Sequence, residues 1–175
     1  MYPGLHDVLI SRDAIQRRVH DLGAAISQEC AGEELLVISI LKGAAIFTAD
    51  LIRSITVPIC VEFVELASYD GTESTTEIRI LKDIDVPVAD KNLLVVEDIV
   101  DTGLTVSFLA DRLMARGPRS LRVCALLSKP ARRRTPVNID YLGFSIPDEF
   151  VVGYGMDHHG HFRNLPDIRI WSGNV

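Results

Sequence analysis

The sequence predicts an α/β fold: a mainly parallel, twisted core sheet with helices on both faces and a small hood. Two observations carry this expectation. The runs Leu35 to Leu41, Leu93 to Val96 and Leu121 to Leu127 lack the polar alternation of half-exposed strands and read as buried ones. Segments of helical period stand between the strands, and strand–helix alternation is the signature of a parallel sheet. At 175 residues the chain suits one domain with a substantial core. We expect the core over about residues 33–145 and a hood built largely from about 146–175.

The elements follow in order. Ser11 caps a helix whose apolar face is Ile15, Val19, Leu22 and Ile26, with Gly32 after its end. Leu35 to Leu41 is a strand interrupted only by Ser39. Lys42-Gly43 turns the chain into a helix over Ala44 to Ile52. Val57 to Leu66 is a strand with Pro58 near its start, where a missing N–H donor is tolerated. Ala67 to Glu77 is polar and without periodicity; it reads as a long exposed loop before a strand at Ile78 to Leu81. After the strand at 93–96, Val106, Leu109, Ala110, Leu113 and Met114 share one helical face, and Gly117-Pro118 stops that helix. Leu121 to Leu127 and Ile139 to Phe144 are further strands. From Ile146 onward the chain is irregular, with short apolar pieces at Phe150 to Val152 and Ile168 to Trp171.

Composition narrows the function. Hydrophobic residues make up 47% and charged residues 24%, as in ordinary globular proteins. A net charge of −6 counts against a general nucleic-acid binder. It does not count against phosphate substrates, which local amides, a few cations and Mg²⁺ can bind. Cys30, Cys60 and Cys124 are odd in number and widely spaced, which suggests neither a disulfide framework nor a zinc knuckle. Reduced thiols fit the cytoplasm. The N-terminus lacks a signal-peptide pattern, and no apolar run approaches the ~20 residues that span a bilayer.

The chemistry concentrates between Leu93 and Thr105. The buried strand is expected to end at two carboxylates, Glu97 and Asp98. A third, Asp101, opens the loop Asp101, Thr102, Gly103, Leu104, Thr105, and a helix begins at once. Ligands bind outside the carboxyl ends of strands in open α/β sheets, and helix N-termini bind phosphate. One loop therefore offers an anion cradle beside acids suited to sugar hydroxyls or magnesium. Other phosphate motifs fail: there is no Gly-x-x-x-x-Gly-Lys-Ser/Thr, and Gly153-x-Gly155 lacks the third glycine of a dinucleotide fingerprint.

The run Val-Val-Glu-Asp-Ile-Val-Asp-Thr-Gly-Leu-Thr resembles the phosphoribosyl pyrophosphate (PRPP) motif of the type I phosphoribosyltransferases. Leu41-Lys42-Gly43, Ser68-Tyr69, Lys129, Phe150 to Asp157 and Phe162-Arg163-Asn-Leu extend the resemblance, to the hypoxanthine-guanine branch, over roughly Leu35 to Ile170. It implies that Glu97 and Asp98 hold the ribose hydroxyls, directly or through Mg²⁺, and that Asp101 to Thr105 wrap the 5′-phosphate. Asp101 would also accept the purine N7 proton. Lys42 and Gly43 would form the pyrophosphate loop, in which a non-proline cis peptide can occur. Lys129 would donate to purine O6, Phe150 would stack on the base, and the Val151 backbone would read its edge. Asp157 would help place a second Mg²⁺, Arg163 would bind pyrophosphate, and Arg133, matching a family arginine near the purine lysine, is a secondary candidate.

The chain departs from the family pattern after Asp157, where His158, His159, Gly160 and His161 replace the usual aromatic. These histidines lack helical i, i+4 spacing, which counts against a zinc site. The implied reaction is transfer of 5-phosphoribosyl from PRPP to N9 of hypoxanthine or guanine, giving IMP or GMP and pyrophosphate. The Ser68–Thr76 loop, with Ser68 and Tyr69, would act as a lid, and the resemblance implies a homodimer or homotetramer. The alternatives are an enzyme preferring xanthine or guanine, and a PRPP-sensing regulator that binds nucleic acid.

Overall fold

The computed structural model describes residues 4–70 and 76–173. Its core is a six-stranded sheet in the order β4-β3-β2-β5-β6-β7, formed by β2 (Leu35–Leu41), β3 (Ile59–Asp70), β4 (Thr76–Lys82), β5 (Asn92–Val100), β6 (Ser120–Ser128) and β7 (Tyr141–Ser145). Every pairing is parallel except β3 with β4. Alternate side chains along the buried strands point to opposite faces. Leu35, Val37, Leu94, Val96, Cys124 and Leu126 pack against α1 (Arg12–Glu29) and α2 (Ala45–Ile52) through Ile15, Leu22, Ile26, Phe47 and Leu51. Leu36, Ile38, Leu93, Val95 and Val123 pack against Val106, Leu109 and Leu113 of α3 (Leu104–Met114).

Local chemistry explains the helix and strand details. The Ser11 hydroxyl accepts from the Ala14 amide at 3.3 Å and caps α1. Ser39, the polar interruption of β2, is fully buried, and its hydroxyl meets that of Thr48 on α2 at 2.7 Å. A buried hydroxyl without such a partner would be costly.

Two expectations need correction. The strand carrying Glu97 and Asp98 does not end at Val96. Beyond it, β5 stays paired with β6, matching Glu97 with Ala125, Ile99 with Leu127 and Val100 with Ser128. Its pairing with β2 stops at Ser39–Val96. The acids thus stand on a strand that has left one neighbour and kept the other. The long loop expected over Ala67 to Glu77 is mostly strand: Ala67, Ser68, Tyr69 and Asp70 pair with Arg79, Ile78, Glu77 and Thr76. A backbone ladder needs no buried face, so the ribbon leaves no period-2 hydrophobic signal. Residues 71–75, the centre of the expected lid, lie outside the described residues.

The hood is not part of the core sheet. It is a second sheet, β1-β9-β8, built from β1 (Leu5–Ile10), β8 (Val151–Val152) and β9 (Ile168–Trp171). The C-terminal segment supplies β8 and β9, and β1, from the other end of the chain, pairs antiparallel with β9. Of the five β1 residues before Ile10, three are exposed and two are half-buried, so the strand carries no clean alternation to read.

Candidate active site

The sheet splits where ligands are expected to bind. The connection from β2 through α2 leads to β3 on one side, and that from β5 through α3 leads to β6 on the other. The strand order therefore reverses between β2 and β5, a topological switch point. The two strands also stop pairing there. A cleft of about 420 Å³ opens at their carboxyl ends. Lys42, Gly43, Glu97, Asp98, Asp101, Thr105, Lys129, Phe150, Val151, Asp157 and Arg163 all line it. Residues separated by more than a hundred positions thus share one space. Thr102, Gly103 and Leu104 lie in the same loop without lining the cleft. Ser68 and Tyr69 stand near the outer end of β3.

Glu97 and Asp98 both line the cleft but differ in burial, Asp98 being half-buried. Glu97 is buried, and its Oε2 has no hydrogen-bond partner among the described residues. Burial, reinforced by the neighbouring Asp98 carboxylate, holds its pKa well above the usual carboxylate range. Asp98 accepts from the Ile99 amide at 2.8 Å through Oδ1. Its other oxygen lies against Gly43, where any Cβ would overlap it. Gly43 is therefore required for the pyrophosphate-loop candidate and the acid pair to approach. The Leu41–Lys42 peptide is cis, in the loop where the family resemblance allows such a bond.

The loop after β5 is laced from behind. Gly103 has φ 86° and caps α3, and Ser107 N–H donates to its carbonyl at 3.0 Å. Thr102 Oγ1 accepts from the Leu104 amide at 3.4 Å, while the Thr102 carbonyl accepts from Arg134 and Thr135. Arg133 does not line the cleft. Its guanidinium donates to the Val100 and Asp101 carbonyls, each at 3.2 Å, and to the Ser128 hydroxyl at 2.8 Å. Arg133 thus braces the loop backbone beside Lys129, its Ser128 contact being the residue before that lysine. Its neighbour Arg132, which no sequence motif singles out, does line the cleft. Arg132 Nε stands 3.3 Å from Asp101 Oδ1, and Nη1 stands 3.7 Å from Asp148. A run of three arginines carries no signal telling which one turns inward.

Lys129 closes the β6 end. It is 5% exposed and lines the cleft. A buried cation facing a cleft is suited to an acceptor on a ligand. Across from it, Phe150 is 38% exposed and Ile99 lines the same space, so the cleft has apolar surfaces for a flat ring. The His158 ring meets Phe150 edge-on at 5.7 Å and lies 4.9 Å from Trp171. Among the described residues no three His, Cys, Asp or Glu side chains are grouped as a metal site.

Asp157 and Arg163 face one another at 2.7 Å. Asp157 also accepts from the Gly160 amide at 2.7 Å, and Arg163 donates to the Gly155 carbonyl at 2.6 Å. Lys42 lies 3.7 Å from Glu65. The cleft therefore combines a carboxylate pair, an amide-rich loop opening a helix, two arginines, two lysines and an apolar slot. It can hold a sugar polyphosphate beside an aromatic base.

The comparisons with known proteins point the same way. A family model for the phosphoribosyl transferase domain matches residues 11–159. The chain is 45% identical to the hypoxanthine-guanine phosphoribosyltransferase of Mycobacterium tuberculosis, over 96% of this chain and 87% of that protein. It is 41% identical to the hypoxanthine-guanine phosphoribosyltransferase of Staphylococcus aureus, over 96% of this chain and 94% of that one. A crystal structure of a hypoxanthine-guanine phosphoribosyltransferase from Bacillus anthracis has a TM-score of 0.92 at 44% identity, covering 96% of this chain and 99% of that one.

Proposed function

This chain belongs to the phosphoribosyl transferase family, and we propose that its cleft moves 5-phosphoribosyl from PRPP to N9 of hypoxanthine or guanine. IMP or GMP and pyrophosphate are the products. The enzyme is a purine-salvage transferase of the hypoxanthine-guanine branch. The observation that supports the site best is the splitting of β5 from β2, which gathers the acid pair, the loop and Lys129 around one space.

In this reading, Glu97 and Asp98 hold the ribose hydroxyls, and the amides and hydroxyls from Asp101 to Thr105 wrap the 5′-phosphate at the α3 N-terminus. Lys42, Gly43 and Arg163 receive the pyrophosphate; an arginine fork matches that anion. The base lies between Phe150 and Ile99, with Lys129 donating to O6 and the Val151 backbone at its edge. Adenine carries an amino group at that position and would leave the buried ammonium unpaired. As C1 of the ribose gains oxocarbenium character, the purine attacks from the face opposite the pyrophosphate, with inversion. Asp101 stabilises the charge developing on the base and takes its proton.

The donor set fits Mg²⁺: Glu97 has an orphaned buried oxygen beside a second carboxylate, and Asp157 faces the same cleft. When bound, the ion would neutralise charge on the leaving pyrophosphate. The reading includes a cytoplasmic enzyme, supported by three unpaired cysteines, and a homodimer or homotetramer, supported by family resemblance. Among the described residues, no helix is long and apolar enough to cross a membrane.

Turnover of hypoxanthine, guanine, xanthine and adenine with PRPP and Mg²⁺ tests the assignment. Hypoxanthine and guanine should dominate kcat/KM. Dominant adenine use would reject the Lys129 role, and dominant xanthine use would move the enzyme to a different base preference. A salt-sensitive, sequence-specific RNA complex without purine turnover would replace the enzyme reading with a regulator.

A further inference from the structure

The hood carries Arg163 and Asp157, while Lys42 and Gly43 belong to the core. A cleft made from two sheets needs contacts that fix their relative position. The turn after β8 supplies one. Gly153, Tyr154 and Gly155 all have positive φ, at 104°, 48° and 103°. For the bulky Tyr154 this is an uncommon conformation, of the kind that persists only where surrounding contacts impose it. Those contacts are explicit. Tyr154 N–H donates to the Leu165 carbonyl at 2.9 Å, and Gly155 N–H donates to the Arg163 carbonyl at 3.0 Å. The Tyr154 ring is 6% exposed, and its hydroxyl donates to Asp50 Oδ2 at 2.7 Å. Gly155 sits so close to the Gly43 carbonyl that a Cβ would overlap it.

Asp50 is an unexpected acceptor. It stands in the last turn of α2, where exposed carbonyls disfavour an anion, and that turn contains no basic residue. The Arg53 side chain, just past the helix, pairs with its Oδ1, leaving Oδ2 for Tyr154. The same helix begins two residues after Gly43. Asp50 therefore reports the position of the Lys42–Gly43 turn through a rigid rod, and Tyr154 reports the position of Arg163 through two backbone hydrogen bonds.

We infer that the Tyr154–Asp50 hydrogen bond is a positioning contact that registers the Asp157–Arg163 segment of the hood against the Lys42–Gly43 turn, and so tunes binding of the pyrophosphate end of the substrate. The purine side should be less affected, because Val151 and Val152 are held separately by their ladder with β9. This inference rests on the proposed transfer reaction.

The test compares wild type with Tyr154→Phe, Asp50→Ala, Asp50→Asn and the Tyr154→Phe/Asp50→Ala double variant. Each is assayed for kcat, KM of PRPP, KM of hypoxanthine and melting temperature, and KM of pyrophosphate is measured in the reverse direction. Absence of wild-type turnover refutes the reaction itself. Given wild-type turnover, Tyr154→Phe and Asp50→Ala should each raise KM for PRPP and pyrophosphate by about 5–10-fold, the loss of one hydrogen bond. Their kcat and hypoxanthine KM should stay within about twofold. Asp50→Asn, which keeps an acceptor oxygen, should stay near wild type, and the double variant should be no worse than either single one. Lowered melting temperatures with unchanged KM values would overturn the inference. So would multiplying effects in the double variant, or an Asp50→Asn as damaging as Asp50→Ala. If Tyr154→Phe fails to fold, Asp50→Ala against Asp50→Asn decides the same question.

Discussion

On one wall of the cleft, Glu97 to Thr105 runs without interruption from strand to loop to helix; on the other, Phe150 to Arg163 hangs on a two-residue strand held by β9, itself paired to β1 from the opposite terminus. The core wall is braced by a second contiguous segment, 128 to 135, through Arg133, Arg134 and Thr135. The hood wall is braced by single side-chain contacts across long sequence separations, such as Tyr154 to Asp50. The difference separates two kinds of sensitivity. Changes in the core wall should alter the chemical step and the grip on the sugar phosphate. Changes in the hood should alter how well a whole substrate is embraced.

Asp101→Asn should test the core wall most severely. Turnover should fall by about 10²–10⁴-fold while PRPP binding is largely kept, as for removal of a proton acceptor. Single-turnover kinetics with a PRPP binding measurement would check it, and near-normal turnover would reject the proton role. Lys129→Met should come next. Loss of a charge-assisted hydrogen bond to O6 should lower kcat/KM for hypoxanthine by about 10²-fold. An equal loss for a purine lacking O6 would show that the lysine acts on folding instead.

Arg133→Met should sharpen the comparison further, because the side chain touches only backbone and a hydroxyl behind the loop. Three hydrogen bonds vanish, so KM for PRPP should rise by about tenfold and stability should fall by about 1–3 kcal/mol. Denaturant melts and steady-state kinetics read the two effects. A melt change with unaltered PRPP KM would place the brace outside the binding machinery.

Glu97 gives the smallest effect and a pH signature. Its folded pKa lies above an ordinary value near 4.5 because burial disfavours the anion. The protein without metal or substrate therefore has the full stability of protonated Glu97 below that ordinary value. It loses that stability as pH rises through the raised folded pKa. Glu97→Gln imitates the protonated form. In chelator it should match wild type in acid and melt higher than wild type above neutral pH. Equal melting temperatures across the series would show that the carboxylate is not desolvated.

The comparison also explains what could be read in advance. Residues of the core wall form one uninterrupted motif, so their order in the chain already places them side by side. The α1 face at Ile15, Val19, Leu22 and Ile26, and the strand Leu35–Leu41, were equally legible because burial imposes periodicity or continuity on sequence. The β3–β4 ribbon was not, since its outer pairs satisfy backbone groups without demanding a hydrophobic pattern. Nor was β1, an exposed edge strand whose partner lies more than 150 residues away. Arg132 and Arg133 are chemically identical neighbours, and only their surroundings make one line the cleft and the other brace the loop.

By itself, then, the sequence determined the layered α/β core and the acid-rich run that opens α3, because both arise from hydrophobic periodicity and neighbouring residues. Tertiary structure alone decided that β5 leaves β2 at Val96, that the chain's two ends meet in one hood, and that Tyr154 reaches Asp50. Those outcomes depend on which distant groups end up adjacent when backbone and buried polar atoms find partners, and no local pattern encodes that adjacency.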